Sequence, residues 1–307
     1  MRVLIFGSTG FLGRAVTRRL LRDGHKLTHV VRDRPREGFS PSRTLALDLG
    51  GPDPLPEPGH HDVALFLAQS GADRQHPAGS LDVVRVSAVG MAQALELARR
   101  AGVARFLNAS SGSVYGLAPE PRVEEAPLSG TGVYARTKAF AERLADEWAS
   151  WFPVVHLRIF ALYGPGQRGR LVANIAKAVA EGRPVRLQPR VEAEPRPGGF
   201  TTSPCFVDDA AEAVARLLEA GPAGAVNVAG PEAVSVRRMA EIAGELLGRE
   251  PRFEVSPEPR PGDLVADIGR LRRWTGLEPR GFREGLAATL AEARIRTARE
   301  GSRAPIR

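Results

Sequence analysis

Val3-Leu4-Ile5-Phe6-Gly7-Ser8-Thr9-Gly10-Phe11-Leu12-Gly13 is the stretch whose reading decides the fold. Its four apolar residues are enough for a buried strand and far too few to span a membrane. The run stops at three glycines spaced GxxGxxG, and an amphipathic stretch follows from Arg14 to Arg22. Strand, glycine turn and helix in that order suit a dinucleotide pyrophosphate. Gly7 permits the tight turn, Gly10 lets the backbone approach a phosphate, and Gly13 lets the helix pack on the strand. The helix N-terminus then offers unpaired N–H groups and the positive end of its dipole to the anion. The dehydrogenase fingerprint is spaced GxGxxG, so the glycines alone also fit an ordinary strand–helix turn. Their place directly after a strand is what favours the nucleotide.

Outward from this stretch the chain alternates. Gly24 ends the first helix and Lys26 to Arg32 reads as a second strand. Thr44 to Leu47 is a third strand ending at Asp48, the Pro-rich segment 50–59 is a loop, and Val63 to Ala68 is a fourth strand. A long helical pattern covers Leu81 to Arg100, and a fifth strand runs from Ala104 to Ala109 into Ser110-Ser111. A second long helix spans Val133 to Ser150 and is followed by strand Val154 to Phe160. Strands alternating with helices indicate an α/β fold with a doubly wound parallel sheet of the Rossmann type. Beyond Gly164 the alternation loosens: helix at 171–181, a loop-rich stretch at 184–204, helix after Asp208-Asp209, strand at 225–229, helix from Ser235 to Leu247, then short helices at 271–274 and 282–296. The expected division is a dinucleotide-binding domain at 1–165 with parts of 200–230, a small C-terminal substrate cap mainly within 166–300, and a disordered tail at 298–307.

Composition narrows the classes. A chain of 307 residues, 43% hydrophobic and 25% charged, is ordinary for a globular protein of one large domain or two closely joined ones. No apolar run approaches the ~18 residues of a transmembrane helix, and the first one is too short for a signal-peptide core, so a cytoplasmic location is expected. The single cysteine, Cys205, excludes an internal disulfide and a cysteine-based metal cluster. The pair His60-His61 has no partners at ligand spacing and reads as part of a loop, so no metal site is expected. A net charge of +8 points toward nucleic acid. Yet only Lys26, Lys138 and Lys177 among the 43 basic residues are lysine, and the arginines are spread among 35 acids with no like-charged block. That pattern is a compositional bias toward arginine, and neither nucleic acid nor membrane is expected as a partner.

The chemistry lies in Tyr134-Ala-Arg-Thr-Lys138. Residues four apart on a helix share a face, so phenol and ammonium reach one site. A phenol with its ordinary pKa of about 10 is a poor base at neutral pH. A lysine charge ~5 Å away, at an effective dielectric of ~20, is worth roughly 3 kcal/mol, about a hundredfold in the ionisation equilibrium. The alternative is a chance pair on a solvated face, which three tyrosines and three lysines in 307 residues make rare. Ser110-Ser111-Gly112-Ser113-Val114-Tyr115-Gly116 follows the fifth strand at its C-terminal end, where open α/β sheets place their ligands. A serine there can bond the substrate oxygen that gains or loses a proton; without Tyr134 these would be ordinary turn residues.

Six strings in order resemble one family: GSTGFLG, SSGSVYG, YARTK, LRIFALYGPG (157–166), FVDDAAEAV and RPGD (260–263). They look like the extended short-chain dehydrogenase/reductases, the NAD(P)-dependent epimerases, dehydratases and reductases, and they span residues 1 to about 290. The resemblance implies that Tyr134 is the general acid/base, that Lys138 is its electrostatic partner and bonds the nicotinamide ribose, and that Ser111 is the catalytic serine. It further implies that Gly7, Thr9, Gly10, Phe11, Leu12 and Gly13 hold the pyrophosphate. Asp48 and Leu49 meet the adenine, and Leu67 and Ala68 line the adenosine side. The implied reaction moves a hydride between a substrate carbon and nicotinamide C4 while Tyr134 moves the proton. The first reading is an oxidoreductase acting on a hydroxyl or carbonyl carbon. A nucleotide-sugar epimerase or dehydratase is the alternative, and a cofactor-bound binding protein a third. Related enzymes dimerise through helices like those at 81–100 and 133–150, and both are apolar over more than one face here, so a homodimer is expected, with a thickly covered monomer as the alternative.

Three details bear on ligand choice. Ala161 and Ser87 stand where many members of the family have asparagine, which weakens the nucleotide-sugar assignment; Ser113, Arg168 and Arg260 are the substrate-side candidates that remain, the arginines as phosphate clamps. At the end of the second strand an NAD enzyme normally has an acid for the ribose 2′-OH. That position falls on Val31, with Arg32 next and Arg34 beyond, which favours NADP through a guanidinium on the 2′-phosphate. Asp33 keeps NAD open as the alternative.

Overall fold

In a computed structural model of the chain, residues 1–32, 43–73, 75–191, 197–219 and 222–301 are described. The opening apolar run becomes β1 (Arg2–Phe6), and Val3, Leu4, Ile5 and Phe6 are each 0% exposed. Val3 and Ile5 join the core on one side of the sheet, Leu4 and Phe6 the core on the other. A strand of period two needs apolar residues at every position only when both of its faces are covered.

In chain order there follow α1 (Phe11–Arg22), β2 (Lys26–Val31), β3 (Arg43–Ala46), β4 (Val63–Phe66), α2 (Ser80–Val84), α3 (Gly90–Arg100), β5 (Arg105–Ser111), α4 (Gly132–Asp146), β6 (Val154–Ile159), β7 (Leu162–Tyr163), α5 (Leu171–Ala180), β8 (Val185–Leu187), β9 (Thr201–Thr202), β10 (Cys205–Phe206), α6 (Val207–Glu219), β11 (Gly224–Val228), β12 (Val234–Ser235), α7 (Val236–Leu247), β13 (Phe253–Val255), α8 (Gly269–Thr275) and α9 (Phe282–Gly301). Seven strands form one parallel sheet in the order β11-β6-β5-β4-β1-β2-β3. The chain runs outward from β1 through β2 to β3, then crosses back so that β4 pairs with the other edge of β1, Val63 opposite Val3. The expected doubly wound sheet is therefore present, with its topological switch point between β1 and β4. Ligands of such sheets bind outside the carboxyl ends of the strands at that point.

α1 buries Gly13, Ala15, Val16, Thr17 and Leu20, one stripe at helical spacing, and packs on α6. The helix expected over 81–100 is broken by a π-helical turn at Arg85–Val89 between α2 and α3. The stretch read as loop at 184–204 holds β8 and β9, which pair with β13 and β12. Strands of two or three residues with partners so far along the chain leave no local periodicity to read. They join α5 and α7 around a separate cap core that includes Tyr163, Ile175, Leu187, Met239 and Phe282. α9 continues to Gly301, past the expected end of its helix, and residues 302–307 lie outside the described residues. Among the described residues no helix is long and apolar enough to cross a membrane, and no group of three or more His, Cys, Asp or Glu side chains is placed to hold a metal ion. His61 lies in a loop, buried, with Nε2 2.8 Å from the Thr28 hydroxyl.

Candidate active site

The switch point opens into a cleft of about 1380 Å³, larger than the roughly 300–1,000 Å³ of a pocket for one small ligand. Its floor is the glycine turn. Gly7 has φ +82°, and a Cβ there would lie 2.6 Å from the Ala68 amide nitrogen. A Cβ on Gly13 would lie 2.2 Å from the Gly7 carbonyl oxygen. Both clashes are with backbone, so no side-chain motion relieves them; the turn is shaped for a backbone approach, not for a side chain. Gly10 caps α1 with no side-chain hydrogen bond and the first turn of α1 has no acid, which leaves its N–H groups to an anion from the cleft. The residues present thus fit a dinucleotide pyrophosphate.

The same cleft is lined by Gly7, Thr9, Gly10, Phe11, Leu12, Gly13, Arg32, Asp48, Leu49, Leu67 and Ala68 on the dinucleotide side, and by Ser111, Tyr134 and Lys138 at the other end. Ser111 is the last residue of β5 and caps the following turn, accepting from the Ser113 amide at 3.2 Å and from the Ser113 hydroxyl at 3.0 Å. Tyr134 and Lys138 project from α4 one helical turn apart, and Lys138 belongs to the stripe, with Ala135, Ala141, Glu142 and Ala145, that the helix buries as it packs on β5. Lys138 is 4% exposed and donates to the Ala109 carbonyl of β5 at 2.8 Å.

Electrostatics differ from the expectation based on Lys138 alone. Burial pushes the Tyr134 phenol above its ordinary range; its hydrogen bond with Ser111 pulls it down, the Asp73 carboxylate pushes it up and the Arg170 guanidinium pulls it down. Burial also brings the Lys138 ammonium down to about 8, with Glu142 opposing. The lysine lies under the strand end, desolvated and bonded to a carbonyl, so in the protein by itself the lowering of Tyr134 comes from Ser111 and Arg170.

Several candidates lie elsewhere. Ser113 stands behind Ser111, outside the cleft wall. Arg168 is exposed and off the wall. Arg260 is 4% exposed, with its Nε 2.9 Å from Asp263 and a further bond to the Gln188 carbonyl. Asp263 also takes Arg190 and the Thr201 amide, so Arg260 ties the cap together rather than reaching the cleft. Ala161 does line the cleft, whereas Ser87 is buried in the π-helical turn. Asp33 and Arg34 lie outside the described residues.

Residues missed in the sequence complete the site. Tyr134 donates to Gln69 Oε1 at 3.3 Å. Asp73 and Arg170 form a two-bonded ion pair on the cleft wall. Beneath the wall the Ser110 hydroxyl donates to Glu142, which Arg158 grips through Nε and Nη2. Arg158 in turn donates to the Tyr115 hydroxyl at 2.8 Å, and Tyr115 to Asn227 at 2.8 Å. The only sequence signal for Glu142 was its spacing, four residues beyond Lys138 on the same helix face.

A glycine-floored dinucleotide cleft whose far end holds serine, tyrosine and lysine defines a nicotinamide-dependent enzyme of the short-chain type. The model of the NAD dependent epimerase/dehydratase family matches residues 3–229, and the chain belongs to that family. It is 28% identical to UDP-glucuronic acid decarboxylase 3 of Arabidopsis thaliana over 96% of this chain and 90% of that one. It is 29% identical to the UDP-glucose 4-epimerase of Mycolicibacterium smegmatis, over 94% and 97%. Its fold superposes on that of a Thermus thermophilus UDP-glucose 4-epimerase in complex with NAD with a TM-score of 0.79, at 27% identity, covering 96% of this chain and 99% of the other.

Proposed function

We propose that the protein oxidises a hydroxyl-bearing carbon of a nucleotide sugar, with Tyr134 as acid/base, as an epimerase, dehydratase or net oxidoreductase. The observation that carries this reading is the convergence of Ser111, Tyr134 and Lys138 with the glycine turn in one cleft. The bound dinucleotide supplies the hydride acceptor. Tyr134 takes the hydroxyl proton, and Ser111 bonds the same oxygen as it becomes a carbonyl. With the dinucleotide in place, Lys138 would hold the nicotinamide ribose. The relatives' nucleotide-sugar substrates support the substrate class, while Ala161 offers no side-chain donor to a diphosphate, so weaker binding than in an asparagine-bearing site is expected. Titration calorimetry with UDP-glucose, UDP-glucuronate and dTDP-glucose, followed by cofactor absorbance and product analysis, tests the proposal. Turnover at constant cofactor redox state means epimerisation or dehydration, and net cofactor consumption means oxidoreduction. No binding by any of the three sugars overturns the nucleotide-sugar assignment.

For the cofactor, Val31 and Arg32 support NADP. Val31 is buried at the strand end, and Arg32 is exposed on the cleft rim, 3.8 Å from Asp48. The NAD of the Thermus neighbour supports the second reading. Arg32→Ala is expected to weaken NADP(H) by about 1.5–3 kcal/mol, the scale of a hydrogen bond to a charged group, and to leave NAD(H) almost unchanged, measured by fluorescence titration. A parent protein that binds NADH tenfold more tightly than NADPH refutes the NADP assignment.

The homodimer reading is supported by a patch on α2, the π-helical turn and α4: Leu81, Val84, Val89 and Phe140 are exposed, whereas Met91 and Leu95 of the same apolar pattern face the monomer's own core. Sedimentation of the protein at a monomer mass would count against it.

A further inference from the structure

Two opposite charges stand on the cleft wall that also holds Tyr134. Arg170 is the residue that caps α5, and its fork closes on Asp73 with Nη1 2.8 Å from Oδ2 and Nη2 3.1 Å from Oδ1. The Asp73 side chain is only 8% exposed and that of Arg170 37%. Both line the cleft with Tyr134. Both charges reach the Tyr134 phenol across this shared wall, Asp73 raising and Arg170 lowering its pKa. A hydroxyl that gives its proton to Tyr134 must come within a hydrogen bond of it, so its sugar ring lies in the cleft whose wall the pair shares with Tyr134.

We propose that Asp73, pinned by Arg170, is a specificity-determining residue that admits a neutral hexosyl group and turns away a hexuronate. The proposal rests on the nucleotide-sugar reading above. Each carboxylate oxygen of Asp73 has a second lone pair free of the guanidinium and can accept from a sugar hydroxyl. A hexuronate carboxylate has two ways in, and both are unfavourable. It can take Arg170 from Asp73, leaving a nearly buried carboxylate unpaired, or it can lie beside Asp73 as a like charge in a partly desolvated site. Arg170 on its own would attract the uronate; its charge is already committed.

The test is titration calorimetry of the dinucleotide-loaded protein with UDP-glucose and with UDP-glucuronate, in the parent and in Asp73→Asn. The parent is expected to bind UDP-glucose more tightly by about tenfold or more. In Asp73→Asn, which keeps the shape and removes the charge, the preference narrows by about tenfold or more, chiefly through tighter UDP-glucuronate. A parent that binds UDP-glucuronate as tightly as UDP-glucose overturns the proposal and leaves the nucleotide-sugar reading standing. An unchanged ratio in a folded Asp73→Asn overturns it as well. A parent that binds neither sugar overturns the nucleotide-sugar reading and this proposal with it. The parent ratio decides even if the variant fails to fold.

Discussion

Tyr134→Phe is expected to lower turnover by about a hundredfold or more while dinucleotide affinity stays near the parent's. The substitution keeps the ring on the cleft wall and removes one hydroxyl, whose hydrogen bonds in the protein are to Gln69 and Ser111. Because burial raises the phenol, most of it is protonated at neutral pH in the protein by itself. A step that uses the phenolate therefore speeds up as pH rises toward the tyrosine's pKa, and in Tyr134→Phe the residual rate loses that dependence. Steady-state rates across pH, with cofactor dissociation constants measured alongside, check both parts. A Phe variant that turns over at the parent rate would remove Tyr134 from the mechanism.

The second large effect concerns stability. Arg158 and Glu142 form a buried pair, their side chains 8% and 3% exposed, with Nη2 2.7 Å from Oε2. Arg158 also donates to the Glu124 carbonyl at 2.8 Å, and its guanidinium lies 4.9 Å from the centre of the Tyr115 ring. Truncating one partner of such a pair strands the other charge without solvent, at about 3–5 kcal/mol. Arg158→Met is therefore expected to lower unfolding free energy by that amount in urea. Adding Glu142→Gln in the same background should recover part of the loss, because the stranded charge is gone. A single variant within about 0.5 kcal/mol of the parent would show that the pair carries no such weight.

The parts legible in the sequence are those written in one stretch of chain. The run Val3 to Gly13 carries its strand, its turn and the start of its helix within eleven neighbouring positions, and Tyr134 and Lys138 line one cleft because one helical turn separates them. Asp73 and Arg170 belong together only because the loop after β4 and the cap of α5 face the same cleft, and neither residue type nor spacing reveals that. Arg260 lies in the cap and not on the cleft for a related reason. A loop arginine beside Pro and Gly has the composition of an exposed clamp, and only the cap's packing shows that Asp263, three residues on, draws it inside. The expected effect of Lys138 on Tyr134 assumed that shared helix face meant shared surroundings, whereas the lysine goes beneath the strand end to Ala109.

The seven-stranded sheet has a consequence for how the chain gains its function. β1 precedes both of its neighbours, β2 and β4, and Val3 meets Val63 only once the chain has emerged through β4. The cleft then needs β5 for Ser111 and α4 for Tyr134 and Lys138, so no early fragment carries a working site. Non-local parallel pairing of this kind folds slowly. A dinucleotide that binds only the completed arrangement would, at a hundredfold excess over its dissociation constant, hold that arrangement by about 2.7 kcal/mol. On that linkage the supply of cofactor would act on how much folded protein survives, in addition to how fast that protein turns over.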